Sequence, residues 1–89
     1  MSYFWLSFAD KRKPKGRRFL GVCVIKADSF PHAVTEAWRL NCNPGGEVLG
    51  HEIEKEYEKN ISVDGFPLAR LLTNEEAREL DERIAGTRH

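Results

Sequence analysis

The strongest chemical signal in the sequence is a run of cations. Six of the eight residues from position 11 to 18 are basic, and none is acidic. Clustered Lys and Arg side chains can hold phosphate groups, of a nucleic acid or of a small nucleotide, through charge-assisted hydrogen bonds. The ligand contacts that this run predicts are Lys11, Arg12, Lys15, Arg17 and Arg18. The alternative is a solvated hairpin loop whose charges discourage edge-to-edge aggregation of strands.

A second candidate anion site is the string Asn43–Val48, which reads NPGGEV. Consecutive glycines after a proline let successive backbone N–H groups point inward, so Gly45 and Gly46 can form an anion-binding nest. The string lacks the Lys-Ser/Thr ending of a phosphate-binding P-loop and does not begin a helix. It follows a predicted helix, whose C-terminal dipole disfavours an anion. The alternative is a helix stop that leads into a strand.

Two aromatic residues near the start of the chain could stack a planar base. Tyr3 and Trp5 flank Phe4 in an apolar run, so they lie on one face of a predicted strand. If the helices leave that face uncovered, both rings can stack a ligand or pack against a second subunit. The alternative places Trp5 in the core. For Trp38, which lies on an apolar helix stripe, burial in the core is the prediction.

No residues have the spacing of a catalytic or metal centre. The three histidines form no HxxxH or HExxH pair, so the sequence predicts no metal site: His32, His51 and His89. The glutamate after His51 faces the opposite side of a strand and cannot form a dyad with it. Serines and threonines lack a GxSxG context. We therefore expect a protein that is not an enzyme and that has no cofactor.

Two cysteines, Cys23 and Cys42, have no CxxC spacing. They predict neither a disulfide scaffold nor a zinc site, and reduced thiols are typical of a cytosolic protein. The first eight residues lack the basic start of a signal peptide. No apolar stretch approaches the roughly 18 residues of a membrane span. We therefore expect a soluble, cytoplasmic protein.

The elements that position these residues begin with two strands. The aromatic run from Tyr3 to Phe8 and the apolar run from Phe19 to Lys26 predict an antiparallel pair joined by the basic loop. On the first strand, Phe4, Leu6 and Phe8 share a face. On the second strand the alternation gives two sets: Leu20, Val22 and Val24 on one face, and Phe19, Cys23 and Ile25 on the other.

A helix and a third strand follow. Ser29 is a good N-cap for a helix that extends to Asn41, and Pro31 is tolerated in its first turn. The helix carries a full apolar stripe: Phe30, Ala33, Val34, Ala37 and Trp38. Residues 47–53 alternate as a third strand, with Leu49, His51 and Ile53 on one face. Gly50 within it indicates a bulge or a close backbone approach.

The last third of the chain is predicted to end in a second helix. Residues 54–68 show no clear periodicity, so the sequence is compatible with a loop throughout or with a short strand at 61–63. Thr73 and Glu76 have the spacing of a capping box. The helix that follows has a narrow apolar stripe and is predicted to end at Gly86. The stripe consists of Ala77, Leu80 and Ile84. The order β-β-α-β-loop-α predicts a single α+β domain over residues 1–89, with a small antiparallel sheet and two helices.

Charge is balanced overall but unevenly spread. The formal net charge is zero; residues 1–26 hold seven basic and one acidic side chain, and residues 27–89 hold seven basic and thirteen acidic ones. This asymmetry indicates an anionic partner at one end, or head-to-tail self-association. Nucleic-acid binding is disfavoured, since such domains usually carry a general basic excess. A homo-oligomer is also expected, because strands that are apolar on both faces need cover on both.

The stretch from Phe19 to Val48 carries the strings Ala-Asp-Ser-Phe, Ala-Val-x-x-Ala-Trp and Asn-Pro-Gly-Gly-Glu-Val. In these strings, over about a third of its length, the chain resembles small uncharacterised proteins of phages and mobile elements. Small phage proteins of this size are frequently inhibitors of bacterial defence. The resemblance therefore implies an anti-defence role, exerted by binding a host protein or by sequestering a nucleotide signal.

Three functions remain open on these observations. The main prediction is a binding protein that sequesters a small anionic, nucleotide-derived ligand, since the basic loop, the diglycine turn and the aromatic strand face would all serve it. The alternative is an inhibitor or adaptor that binds a host protein through the aromatic face or the acidic C-terminal half. A nucleic-acid-binding protein is a weaker third possibility.

Overall fold

Two apolar strands and the hairpin between them form the centre of the fold. Strand β1 spans Ser2–Ala9 and pairs antiparallel with β2, Phe19–Ala27. Strand β3, Glu47–Glu52, pairs antiparallel with the other side of β1, so the sheet order is β2-β1-β3. The positions come from a computed structural model, which describes residues 1–63 and 65–85. The predicted α+β class with a small antiparallel sheet is confirmed.

Helix α1, Phe30–Arg39, packs on one face of the sheet. The Ser29 hydroxyl caps it as predicted, because it accepts a hydrogen bond from the backbone N–H of His32 at 3.3 Å. Asn41 follows the helix with a φ of 59°, the left-handed conformation that Asn tolerates. The core layer beneath α1 contains nine buried residues: Phe4, Leu6, Phe8, Cys23, Ile25, Ala27, Ala33, Ala37 and Cys42.

The other face of the sheet is covered by helix α3, Asn74–Ala85, and by the segment before it. Thr73 and Glu76 form the predicted capping box, with both hydrogen bonds at 3.2 Å. The residues buried in this second layer are Tyr3, Val24, Ile53, Ile61, Phe66, Leu72, Leu80 and Ile84. Both faces thus have apolar cover from this chain, so the packing of the sheet does not require a homo-oligomer. The predicted helix end at Gly86 lies outside the described residues.

The segment between β3 and α3 folds as short helical turns. A 3₁₀ turn spans Lys55–Tyr57, and helix α2 spans Glu58–Ile61. Of the two alternatives predicted for this segment, a loop or a short strand at 61–63, the strand does not form. Ile61 ends α2 and is buried in the layer beneath α3, because the helical turn directs this apolar side chain toward the sheet.

Trp38 is not a core residue, so the predicted burial of its side chain is wrong. The residue is 58% exposed, whereas Ala33 and Ala37 of the same stripe are fully buried. At 3.6 residues per turn, Trp38 lies about 80° around the helix from Phe30. The sheet contacts the side of the stripe that carries Ala33 and Ala37, and it leaves the opposite edge, which carries Trp38, in solvent.

Phe19 and Leu20 lie on the faces opposite to those predicted. Phe8 pairs with Gly21 and Ala9 pairs with Phe19, which leaves Leu20 as the extra residue of a β-bulge. The bulge shifts the alternation of side chains by one position. As a result, Leu20 packs against the layer beneath α1, and Phe19 lies on the α3 side.

Gly50 marks a close backbone approach, which was one of its two predicted alternatives. A β-carbon at this position would collide with the Trp5 carbonyl and would lie 3.0 Å from the Phe30 ring. The β1–β3 register is continuous across this point, so Gly50 does not lie in a bulge. Leu49 pairs with Ser7 and His51 pairs with Trp5, so Leu49 and His51 lie on one face of β3, as predicted.

Candidate functional site

The predicted cationic loop forms an exposed hairpin connection at one end of the sheet. The Asp10 N–H donates to the Arg18 carbonyl at 2.8 Å and closes its base. The Arg17 N–H donates to the Pro14 carbonyl at 2.9 Å and closes a turn within it. All six basic residues of the loop are exposed. The loop therefore presents its positive charge to solvent.

Two of these cations form ion pairs with carboxylates of the chain. Arg12 donates to the Asp10 carboxylate through Nε at 3.1 Å and Nη2 at 3.3 Å. The side-chain hydrogen bond from Arg12 is the main reason that the pKa of Asp10 is lowered. Lys11 Nζ lies 2.8 Å from Glu47 Oε2. These pairs are exposed to solvent, so each contributes little to stability, but they reduce the charge that Lys11 and Arg12 offer to a ligand.

The remaining cations of the loop differ in whether their side chains already form hydrogen bonds within the chain. Arg18 Nε donates to the Lys13 carbonyl at 3.0 Å, so Arg18 braces the loop. Lys15 and Arg17 form no side-chain hydrogen bond or ion pair with any other described residue. Of the five predicted contacts in this loop, Lys15 and Arg17 are therefore the most available to an anion.

The diglycine turn lies beside the base of this loop. Glu47, which directly follows it, pairs with Ala9 at the end of β1. Gly46 packs closely on the Ala9 backbone. The Gly45 N–H donates to Asn43 Oδ1 at 2.8 Å, so one of the two predicted nest donors is already engaged.

Tyr3 is separated from these cations by the length of β1. It is 7% exposed, and its hydroxyl lies 3.3 Å from the Ser62 hydroxyl, within hydrogen-bonding distance. Lys26 Nζ lies 5.5 Å from the centroid of its ring. The exposed position predicted for Tyr3 is therefore wrong: the segment before α3 covers this end of the sheet, and the ring belongs to the core.

Trp5 lines a shallow groove between the sheet and α3. One cavity of about 310 Å³ is bounded by Trp5, Phe19, His51, Arg78 and Asp81, among others. A second cavity of about 260 Å³ shares Trp5, His51 and Asp81 with the first. We call these two adjoining cavities the Trp5 groove. The groove runs beside β3, because His51 pairs directly with Trp5 in the β1–β3 register.

Sequence reasoning found Trp5 but missed the residues that face it across the groove. Arg78 and Asp81 lie on α3, which is capped at Thr73 and packed by its apolar stripe. Their spacing of three places them on one side of that helix, next to the buried Ala77. That spacing was visible in the sequence, but the pairing of this side of α3 with Trp5 and His51 was not.

The two edges of the sheet differ. The outer edge of β2 is covered by the segment before α3, since Val22 exchanges backbone hydrogen bonds with Leu72 at 2.7 and 3.2 Å. The Ala69 N–H also donates to the Val24 carbonyl at 3.0 Å. Such cover is a common means of preventing a sheet edge from pairing with another chain.

The outer edge of β3 lacks this cover. The Ile53 N–H donates to the Tyr3 carbonyl at 2.8 Å, which fixes the alternation of hydrogen bonds along β3. The N–H and carbonyl groups that point away from β1 belong to Val48, Gly50 and Glu52. They have no backbone partner in the part of the chain that the structure describes. Leu49 is 65% exposed on the same strand.

Negative charge is concentrated where this edge meets the groove. Glu52 and Glu54 line the second cavity, and Glu56 follows in the 3₁₀ turn. The pKa of Glu56 is raised, mainly because of a side-chain hydrogen bond with Glu54. The sheet therefore has the basic loop, residues 11–18, at one end. At the other end it has an acidic segment, which consists of Glu52, Glu54 and Glu56.

No helix among residues 1–63 and 65–85 has the length and apolarity needed to cross a membrane. In the same residues, no group of three or more His, Cys, Asp or Glu side chains is placed to hold a metal ion. Comparisons with known protein families, curated proteins and solved structures gave no significant match. The groove, the open edge and the charged ends are thus the basis for inferring a function.

Proposed function

We propose that this chain is a non-enzymatic protein-binding module of the inhibitor or adaptor type. The observation that carries the proposal is the open β3 edge, which adjoins the Trp5 groove and the acidic segment. An extended segment of a partner can add to β3 as a fourth strand, using the outward N–H and carbonyl groups as hydrogen-bond partners. The resemblance to small phage and mobile-element proteins supports a host protein as that partner.

The chemistry of the edge and groove defines the segment that would bind. Side chains on the groove side of an added strand lie next to Leu49 and His51, so apolar residues are favoured there. At the acidic end, Glu52 and Glu54 favour a Lys or Arg. The expected partner is therefore an extended segment that alternates apolar side chains and ends in a basic residue.

A peptide selection tests this function. Peptides selected from a random library on the immobilised protein are expected to show the apolar alternation and the terminal basic residue. Leu49→Lys places a cation on the open edge and removes an exposed apolar contact. We expect it to weaken peptide binding at least about tenfold, which equals about 1.4 kcal/mol. The dissociation constant is measured by fluorescence polarisation with a selected peptide.

The matched control is Val63→Lys, which adds the same charge at an exposed apolar residue outside the sheet. This variant should keep the wild-type affinity, and peptide binding should slow amide exchange at Val48, Gly50 and Glu52. An equal loss of affinity in both variants would show that charge, and not the edge, controls binding. If no peptide is selected and sedimentation shows a dimer that Leu49→Lys dissociates, the edge binds a second copy instead.

A second function, the sequestering of a small anionic ligand, is favoured by a different observation. The exposed side chains of Lys15 and Arg17 share one end of the sheet with the diglycine turn. Phe19 begins β2 directly after the basic loop and is 42% exposed, so its ring is available for stacking there. A phosphate on the loop with a base on Phe19 is the corresponding arrangement for a nucleotide-derived ligand.

The double variant Lys15→Gln/Arg17→Gln tests this second function. Charge-assisted hydrogen bonds contribute about 1.5–3 kcal/mol each, so losing two should weaken nucleotide binding at least about 100-fold. Thermal shifts with a panel of nucleotides, including cyclic nucleotides and ADP-ribose, provide the first measurement, and calorimetry gives the dissociation constant. The control is Lys55→Gln/Lys59→Gln, which removes the same charge near the acidic segment. Lack of any thermal shift in the wild type would rule this function out.

A further inference from the structure

The two cysteines, which are 19 positions apart in sequence, are in contact in the fold. Cys42 Sγ lies 3.7 Å from Cys23 Sγ. Both side chains are buried, at 4% and 0% exposure. Cys23 lies in β2, where it pairs with Leu6, and Cys42 lies in the turn after α1. The pair therefore joins the end of α1 to the sheet.

We propose that Cys23 and Cys42 form an intramolecular disulfide when a low-molecular-weight disulfide oxidant is present. A disulfide bond is about 2.05 Å long, so closure brings the two sulfurs roughly 1.7 Å closer. Cys23 is held by strand pairing on the sheet. Cys42 follows the left-handed residue Asn41 in a turn, so the movement falls mainly on Cys42.

With oxidised glutathione as the oxidant, the reaction has two exchange steps. The Cys42 thiolate attacks one glutathione sulfur, breaks the glutathione S–S bond and releases one glutathione thiolate. The Cys23 thiolate then attacks the Cys42 sulfur of the mixed disulfide and releases the second glutathione thiolate. Two protein thiols are oxidised and one oxidised glutathione is reduced to two thiols, while the cysteine protons pass to solvent and the released thiolates.

Burial controls when this reaction can occur. Burial is the largest cause that raises the pKa of Cys23, followed by the nearby Cys42 thiol, so the Cys23 thiolate of the second step is disfavoured in the closed fold. Cys42 is itself buried, so its attack on the oxidant requires the turn that carries it to open. The Cys42 N–H donates to the Ala37 carbonyl at 3.0 Å, and that hydrogen bond must break or lengthen during opening. The dithiol is thus slow to oxidise, but its disulfide closes a loop that stabilises the fold.

The test compares native protein before and after incubation with oxidised glutathione, without denaturant. We expect the monomer to lose two hydrogens in intact-mass analysis, with Cys23 and Cys42 peptides linked in a non-reduced digest. A closed loop of about 20 residues should raise the melting temperature by roughly 10 °C or more, and a thiol reductant should reverse the increase.

The control variant Cys42→Ala cannot form the bond and should show neither the mass loss nor the increase in melting temperature. Three results on the wild-type protein would overturn the proposal. They are a persistent glutathione adduct on a single cysteine, cross-linking only between molecules, and an unchanged mass with both thiols free after prolonged incubation. Each is measured on wild-type protein, so the conclusion does not depend on the variant folding normally.

Discussion

Replacing Phe8 by alanine is expected to destabilise the fold by about 3–5 kcal/mol. Phe8 is fully buried in the layer beneath α1, where β1 and β2 meet the helix. Removing its ring leaves a cavity between elements that cannot collapse without disturbing the sheet. Because domains of this size are stable by only about 5–15 kcal/mol, the loss would be large. Urea denaturation followed by tryptophan fluorescence gives the free energy of unfolding.

Trp38→Ala is the matched aromatic truncation on the same side of the sheet. Trp38 is 58% exposed, and alanine has a higher helix propensity, so we expect a loss below about 1 kcal/mol. Far-ultraviolet circular dichroism follows this variant independently of the lost fluorophore. If both variants lost a similar free energy of unfolding, α1 would be packed on the sheet through Trp38 and not through Ala33 and Ala37.

Local features of the fold were predictable because they depend on neighbouring residues. The Ser29 cap and the Thr73–Glu76 capping box are chemical signals that extend over three positions, and both form as predicted. The apolar alternation of β1 also identifies which residues share a face, since Phe4, Leu6 and Phe8 all lie beneath α1. In such elements a single periodicity determines both the type of element and the residues that lie on the same side of it.

The errors arise where tertiary packing overrides a periodic pattern. A stripe of five apolar positions on α1 is wider than the surface that the sheet covers, and only packing selects which edge stays exposed. On β2, the bulge at Leu20 places Phe19 and Leu20 on the faces opposite to those that strict alternation predicts. Strict alternation cannot reveal such a bulge, because the inserted residue is apolar like those around it.

The candidate site was only partly predictable for a related reason. The cations of residues 11–18 are adjacent in the chain, so their clustering is evident from the order of the residues alone. The Trp5 groove instead combines side chains of β1, β3 and α3, and the separation of these elements hides their contact. The contact of Cys23 with Cys42 was missed in the same way, because it depends on how α1 returns to β2.

The second glycine of the diglycine turn is expected to be far less tolerant of substitution than the first. Gly45 and Gly46 have φ values of 86° and 76°, so alanine at either position incurs a similar cost of about 1–2 kcal/mol. At Gly46 a β-carbon would also collide with the Ala9 carbonyl and lie 3.2 Å from Leu20 Cδ1. We expect Gly46→Ala to lose about 1–3 kcal/mol more than Gly45→Ala.

Gly45→Ala is a close control, since no atom lies within 4 Å of the β-carbon it would add. Urea denaturation of both variants measures the difference directly. A larger loss for Gly46→Ala means that this glycine is needed where the turn crosses the end of β1, beside the pairing of Ala9 with Glu47. Equal losses would mean that φ alone requires glycine at both positions, and the close packing on Ala9 would then contribute nothing to stability.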